Sequence, residues 1–432
     1  AAASDAGAAD VAAADAVDAV DAAAARGAAM DGDTTAAAEA RAWASSSSGG
    51  GASVVKSVGQ LPLDCDCFLS HNYFVARVLV ADENDLGDDP PAEGDYVPLE
   101  EHFTYKNEDS FRREQGELLE YLGEAGSTAL VSQLEQEKSK RMGMDAAWLQ
   151  RKQEIAERFP LSERANRGVY SLPRPDSAST ASRCFSPEFV ELAALARNLF
   201  SAVDPDSESS VRTARDTLLL SPYIEEVASD VYSFPVFATS FASEVVAELE
   251  GLTELLENSG LKERPNSMNN YGVLLDEVGF TEGFTDVLLD HYLRPMAALL
   301  CPGHGGATLD HHRCFSVKYA EGKDTSLATH YDNSEVTLNV NVGLRGSGGD
   351  GDCGELVFYG ENGKSQRPRP VRYKHRVGWG VLHLGRELHC ATPLRRGERT
   401  NLIMWCRSAS WRLENGCGMC RETGGLKYGH VP

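Results

Sequence analysis

No run of about twenty consecutive apolar residues occurs in this sequence, so nothing in it is built to cross a bilayer as a helix. It also lacks any Asn-x-Ser/Thr acceptor for N-glycosylation, and its ten cysteines are scattered over 432 residues rather than packed as in small secreted domains. Both absences predict a soluble chain with mostly reduced thiols and a cytoplasmic or nuclear home. Basic residues are in short supply, 41 Lys and Arg against 65 Asp and Glu, for a net charge of -24. Such a chain repels polyanions at long range, which makes nucleic acid an unlikely partner. The segment from Lys364 to Arg399 is the exception: its only acids are Glu387 and Glu398. It reads either as a face that steers a small anion or as an ordinary solvated surface.

What is present divides the chain. Residues 1–60 are rich in Ala, Ser and Gly with almost no large apolar side chain to bury, a composition that predicts disorder. Five aspartates from Asp5 to Asp21 argue against a transit peptide. Residues 61–220 read as an ancillary, mainly helical region: a strand over 74–80, an acidic loop over 83–101, charged helix over 110–158, and a linker over 171–182. Ser186-Pro187-Glu188 then supplies a hydroxyl cap, a first-turn proline and an acid at the dipole for a helix carrying Phe189, Leu192, Leu195 and Leu199. From 221 to 412 the texture changes. A short strand at 232–237 leads into a helix with Phe241, Val245, Leu249, Leu252 and Leu256 on one side; a second helix over 284–300, with Pro295 set to start or kink its last turns, precedes short apolar runs separated by Gly, Asp and Pro. Many short strands at this spacing predict an α+β domain with a sandwich or jelly-roll core and helices packed outside. Residues 413–432 form a cysteine-containing tail.

His330-Tyr-Asp332 sets an imidazole and a carboxylate two residues apart, on one face of an extended chain. If that strand runs on unbroken, Val336, Leu338, Val340 and Val342 share the face, and Thr337, Asn339 and Asn341 take the other. His389 lies beyond the next strands and completes two imidazoles and one carboxylate. That donor set leaves three coordination positions open and suits non-haem Fe(II); two of them can take a chelating 2-oxo acid and the third dioxygen. The far carboxylate of such an acid needs a cation. Arg399, ten residues after His389, offers a planar guanidinium, and alternation turns it inward with Ile403 and Trp405. Tyr319 is a candidate hydroxyl donor to the same molecule. His383 competes with His389 but has no arginine at the right spacing. His311, His312 and His375 read as surface or supporting groups, His304 as loop, and Trp379 and Trp405 as core. Cys65, Cys67, Cys417 and Cys420 could gather four thiolates around zinc if the chain ends meet, although isolated cysteine pairs are more often free thiols.

The order H-x-D, Gly354-Glu-Leu-Val-Phe358, His-x9-Arg and Asn401-Leu-Ile-Met-Trp405 resembles the prolyl-4-hydroxylase-type oxygenase domain. More narrowly, Arg264-Pro-Asn-Ser-Met-Asn-Asn-Tyr-Gly-Val-Leu-Leu275, Arg294-Pro-Met-Ala-Ala-Leu-Leu300 and His330-Tyr-Asp-Asn-Ser-Glu-Val-Thr-Leu-Asn339 are similar to the 2-oxoglutarate and iron-dependent oxygenase domain-containing protein 2 family, as is Cys417-Gly-Met-Cys420. The resemblance covers residues 230–420 and is faint upstream of 180. It implies a double-stranded β-helix, Fe(II), 2-oxoglutarate, O2 and ascorbate as reductant. It also implies hydroxylation of a lysyl or prolyl side chain in a protein or peptide substrate. Two other readings stay open: demethylation of a nucleic-acid base by the same chemistry, and a metal-binding sensor or adaptor working through residues 61–220. The glycine- and aspartate-rich insertion at 346–352 departs from the family pattern at the loop over the site mouth.

Overall fold

The computed structural model describes residues 53–59, 73–81, 96–144, 146–164, 168–175, 183–205, 207–346, 353–361 and 369–415. Cys65, Cys67, Cys417 and Cys420 lie outside them, as do residues 347–352 of the insertion. Contacts among the described residues separate two compact units. One is drawn from parts of 53–57, 76–81, 96–101 and 115–129, and the other contains everything described from Leu130 onward.

Strands β1 (Ser53–Gly59), β2 (Tyr73–Ala81) and β3 (Tyr96–Thr104) form a three-stranded sheet in that order. Two expectations need correction here. Residues 53–59 pair as a strand inside the segment expected to be disordered, and β3 occupies the end of the expected acidic loop. Both stretches carry β-branched or aromatic residues, Val54 and Val55 in one and Tyr96, Val97 and Phe103 in the other. Pro98 is tolerated because β3 is an edge strand. The charged stretch that follows is helical, as its pattern predicts, in segments Glu108–Glu114, Gly116–Met144 and Ala146–Arg158, with a break at Gly123 where φ is 66°.

The larger unit is built on two antiparallel sheets. Strands β4 (Glu225–Ala228), β5 (Val231–Pro235), β6 (His311–Ala320), β8 (Val336–Arg345), β11 (Trp379–Leu384) and β13 (Glu398–Arg407) make a six-stranded sheet in the order β4-β5-β11-β8-β13-β6. Strands β7 (Leu327–His330), β9 (Glu355–Glu361), β10 (Val371–Lys374) and β12 (Glu387–Ala391) make the second, in the order β10-β9-β12-β7. From β6 to β13 the chain passes back and forth between the sheets, leaving the four core strands of each side adjacent. This is the winding of a double-stranded β-helix, and it confirms the jelly roll.

One face of the large sheet is covered by helices. Pro187–Ala202 begins at a Ser186 hydroxyl that accepts from the Phe189 amide, with proline in the first turn. Its Phe189 and Leu192 share a core with Val245 and Leu249 of helix Thr239–Asn258, and with Val336, Leu338, Val340 and Val342 of β8. The expected helix over 284–300 is broken into π turns at Thr281–Thr285 and Leu289–Leu293 before the regular Arg294–Leu300, in whose first turn Pro295 sits. Pro295 has no amide to donate to the preceding turn and sits where the π turn gives way to regular helix, so it marks the start of this segment instead of kinking its end.

That packing overturns one expectation about parity. Val336, Leu338, Val340 and Val342 face the helices, and Thr337, Asn339 and Asn341 face the space between the sheets. The strand is not continuous: β7 ends at His330 in one sheet and β8 starts at Val336 in the other. A turn over 331–335 resets the alternation.

Candidate iron and 2-oxoglutarate site

Pairing sets the inner face out in ranks. On the rank nearest the 331–335 turn, His383 of β11 stands opposite Thr337 of β8, which stands opposite Trp405 of β13, which stands opposite Arg313 of β6. The next rank is Val381, Asn339, Ile403 and Phe315. Asn341, Asn401 and Val317 follow, and Arg399 opposite Tyr319 comes last. Side chains directly opposite in antiparallel strands project from the same face, so each rank is a row across the cavity wall.

From the small sheet, His330 of β7 and His389 of β12 are themselves a cross-strand pair. With Asp332 they place one donor atom each within 4.8 Å of one another. Their tautomers follow from their partners. His330 Nδ1 lies 2.8 Å from the Ala328 carbonyl, and His389 Nδ1 lies 2.8 Å from the Glu387 carbonyl. A carbonyl can only accept, so each Nδ1 carries the proton and each Nε2 presents a lone pair. His330 Nε2 is 3.6 Å and His389 Nε2 3.9 Å from the Asp332 carboxylate. Burial, then the neighbouring His389, pushes the His330 imidazole down to about 4, so it is unprotonated at neutral pH. Burial works against the charge on Asp332, but the imidazoles of His389, His330 and His383 and the Thr337 hydroxyl outweigh it and hold the carboxyl below its usual range.

The turn between the sheets fixes Asp332. Its amide donates to the Gly385 carbonyl at 2.8 Å, and the Gly385 amide donates to the Glu335 carbonyl at 2.9 Å. A Cβ on Gly385 would stand 1.9 Å from the Ser334 carbonyl oxygen, so only glycine permits this approach. Glu335 is in turn gripped by Arg412 Nε at 2.7 Å and the Ser408 amide at 2.7 Å. The Thr337 hydroxyl donates to Asp332 Oδ2 at 2.7 Å, with Ser334 Oγ a further 2.7 Å from Thr337 Oγ1.

His383 is fully buried, with Nε2 3.9 Å from Asp332 Oδ2, but it stands outside the three-donor group. Its Nδ1 donates to the Leu384 carbonyl at 2.9 Å, and burial followed by the nearby His389 pushes it down to about 4. It backs the cluster as a neutral ring. Of the other histidines expected at the surface or in support, His312 has a side chain only 5% exposed and bonded to Asp286 at 2.9 Å, and His375 touches Asn401 at 3.3 Å. Trp405, expected in the core, packs against the core between the sheets and also lines the cavity.

Arg399 and Tyr319 line the same cavity as the His330, Asp332 and His389 group. Only 1% of Arg399 is exposed. Its guanidinium donates to the Cys353 carbonyl at 2.9 Å and lies 4.4 Å from the Tyr319 ring centre, while its Nε has no partner among the described residues. The Tyr319 hydroxyl accepts from Asn269 at 3.2 Å. Between these two and the three-donor group, Asn401 donates to Asn339 and accepts from Asn341 at 3.0 Å, a ladder of neutral amides along the wall. Sequence reasoning missed this wall, and also the 266–269 loop that closes the cavity from outside. Alternating Thr and Asn within an otherwise apolar strand was the available signal.

Two imidazoles with free lone pairs and one carboxylate suit Fe(II) with open positions. A buried guanidinium with no carboxylate partner among the described residues suits the far end of a dicarboxylate. The human protein named 2-oxoglutarate and iron-dependent oxygenase domain-containing protein 2 is 35% identical over 366 residues, covering 82% of this chain and 88% of its own. The chain belongs to that family. Membership makes it a dioxygenase that uses iron, 2-oxoglutarate and O2. The Danio rerio member is 34% identical over 362 residues, 82% of this chain and 89% of that one. Coverage of that extent reaches well upstream of residue 180, where the sequence resemblance was expected to be faint. The family's OGFOD2-like domain matches residues 181–306, a stretch that holds the covering helices, strands β4 and β5 of the large sheet, and the 266–269 loop. A procollagen-lysine,2-oxoglutarate 5-dioxygenase 1 from Pongo abelii is 28% identical over 208 residues, 46% of this chain and 27% of that protein. No helix among the described residues is long and apolar enough to cross a membrane.

Proposed function

We propose that His330, Asp332 and His389 hold the iron, that Arg399 with Tyr319 receives the distal carboxylate of 2-oxoglutarate, and that the enzyme hydroxylates a lysyl or prolyl side chain of a protein, with ascorbate as external reductant. One observation carries the reading: a three-donor group and a buried guanidinium with no carboxylate partner among the described residues line one cavity. The bound metal and co-substrate supply oxidation of 2-oxoglutarate to succinate and CO2, coupled to hydroxylation of a C–H bond. The chain's part is to bind, orient and exclude water. The backbone carbonyls of Ala328 and Glu387 fix the imidazole tautomers, and Thr337 fixes the carboxylate. Arg399 sets the far end of the co-substrate, while Phe315, Ile403 and Trp405 give the cavity apolar walls. A protein substrate is supported by the named activity of the procollagen-lysine relative on a lysyl residue.

Purified protein with Fe(II) and 2-oxoglutarate is expected to form succinate slowly even without substrate, and more of it when ascorbate is added. His330→Ala should abolish that signal and His383→Ala should keep most of it. No succinate from the wild type would overturn the proposal, and equal loss in both variants would reassign the third ligand.

A further inference from the structure

The amides along the cavity wall form a chain with a definite direction. Asn341 begins it. Its Nδ2 donates to the Gly343 and Thr400 carbonyls at 3.4 and 3.3 Å, groups that can only accept, and to Asn401 Oδ1 at 3.0 Å. Asn401 Nδ2 then donates to Asn339 Oδ1. That leaves Asn401 a second N–H, and it goes to His375 Nδ1, 3.3 Å away.

His375 lies just beyond β10 and belongs neither to the cavity lining nor to the three-donor group. The residue is half-buried; burial, then the Arg399 charge, holds its imidazole well below the ordinary value, so the ring is neutral. An amide N–H can only donate, so Nδ1 accepts. The ring proton therefore sits on Nε2, a covered atom with no hydrogen-bond partner among the described residues. The other tautomer would set one N–H against another at Asn401.

The far end of the chain is open. Asn339 lines the cavity one rank from Thr337, between it and the Arg399 rank. Its Oδ1 is taken by Asn401, so what it offers the cavity is the Nδ2 donor.

We propose that His375 is a positioning residue for 2-oxoglutarate: by receiving the second N–H of Asn401 it holds the amide chain in the arrangement that leaves the Asn339 Nδ2 donor facing the co-substrate. The proposal rests on the reading that sets 2-oxoglutarate along this wall, from the three-donor group to Arg399. Without the imidazole acceptor the Asn401 N–H is orphaned, and that amide gains by turning toward another partner, which releases Asn339.

The test is binding without turnover. The full chain loaded with Mn(II) is titrated with 2-oxoglutarate by calorimetry, for the wild type, His375→Leu, His375→Asn, Asn401→Ala and the double variant His375→Leu/Asn401→Ala. His375→Leu is expected to raise the Kd about three- to tenfold, the effect of one neutral hydrogen bond, and to leave the Kd for Mn(II) at the wild-type value. His375→Asn, whose Oδ1 stands near the place of Nδ1, should restore most of the affinity. Adding His375→Leu to Asn401→Ala should cost nothing further, because the two act through one contact. Should His375→Leu fail to fold, His375→Gln, whose amide reaches the place of Nε2 and not of Nδ1, takes its part with the same expectation. Wild-type affinity in His375→Leu overturns the proposal, as do equal losses in His375→Leu and His375→Asn, or losses that add in the double variant. Arg399→Gln separates the two failures. If it binds 2-oxoglutarate weakly while His375→Leu binds like the wild type, only this inference falls; if Arg399→Gln binds like the wild type, the co-substrate reading falls and takes the inference with it.

Discussion

Thr337→Val removes one hydroxyl and keeps nearly the same shape, and it tests whether Asp332 is aimed by its neighbours. The Thr337 hydroxyl is 2.7 Å from Asp332 Oδ2, both residues are buried, and Ser334 lies behind it at 2.7 Å. A hydrogen bond to a charged acceptor contributes about 1.5–3 kcal/mol. Where such a bond orients a metal ligand, losing it weakens metal binding by about 10- to 100-fold, or roughly 1.4–2.7 kcal/mol. Thr337→Val should therefore bind Mn(II), as a redox-stable stand-in for iron, about 10- to 100-fold more weakly by titration calorimetry. Thr337→Ser, which restores the donor, should return most of the affinity. Ser334→Ala, one bond further out, should cost less than Thr337→Val. A melting temperature that falls in Thr337→Val while Mn(II) affinity stays at the wild-type value would refute the reasoning, because the hydroxyl would then serve packing alone.

Arg399→Gln should raise the Kd for 2-oxoglutarate by about 100-fold in calorimetry, through loss of a bidentate charge pair. It should leave the ligand-free melting temperature unchanged or higher, because Arg399 is a buried cation with no carboxylate partner among the described residues. Gly385→Ala must push Ser334 away from a contact of 1.9 Å. Metal binding should be lost while far-ultraviolet circular dichroism stays near the wild type, and unchanged Mn(II) affinity would show that the turn can yield. His312 and Asp286 form a pH-dependent tie between β6 and the broken helix over 281–300. Burial opposes the charge on His312, but the Asp286 hydrogen bond and the Asp276 and Asp286 charges raise it above the ordinary imidazole value; Asp286, also opposed by burial, is lowered by His312. The histidine's contribution is complete below about pH 6.5 and is lost as pH rises through its raised value, and the aspartate's is complete above about pH 4 and is lost on acidification. The melting-temperature gap between wild type and His312→Gln should be widest between these limits and shrink toward pH 9. A gap that widens with alkali would reverse the assignment.

The residues legible in the sequence are those whose chemistry is local. His330 and Asp332 announce themselves by spacing, His389 and Arg399 by their interval, and all four come together around one cavity. The jelly roll was legible as short strands punctuated by glycine and proline. Facing was not. Alternation reads parity correctly along one strand, as it does from Arg399 to Trp405 on β13. It fails across the 331–335 turn, where the chain changes sheets and a fixed count of residues no longer fixes a side. Of the early strands, β2 was expected over 74–80, whereas β1 and β3 were missed for a different reason. Their β-branched and aromatic residues are embedded in Ala-, Gly- and acid-rich sequence, and pairing partners far along the chain decide their fate.

The same turn explains why the three-donor group can be both exposed in sequence and rigid in space. A ligand pair on one continuous strand would inherit its geometry from the strand's pleat and twist. Here His330 is the last residue of β7, and Asp332 is held through its amide, which donates to the Gly385 carbonyl in a turn in a different part of the chain. The distance between the two donors is therefore set where the sheets meet, by Gly385 from one side and by Glu335, clamped through Arg412 and Ser408, from the other. None of those clamping residues lines the cavity, yet they hold the segment joining His330 to Thr337. Helix Ala409–Asn415, which supplies Arg412, thereby belongs to the architecture of the site even though no sequence motif connects it to the chemistry.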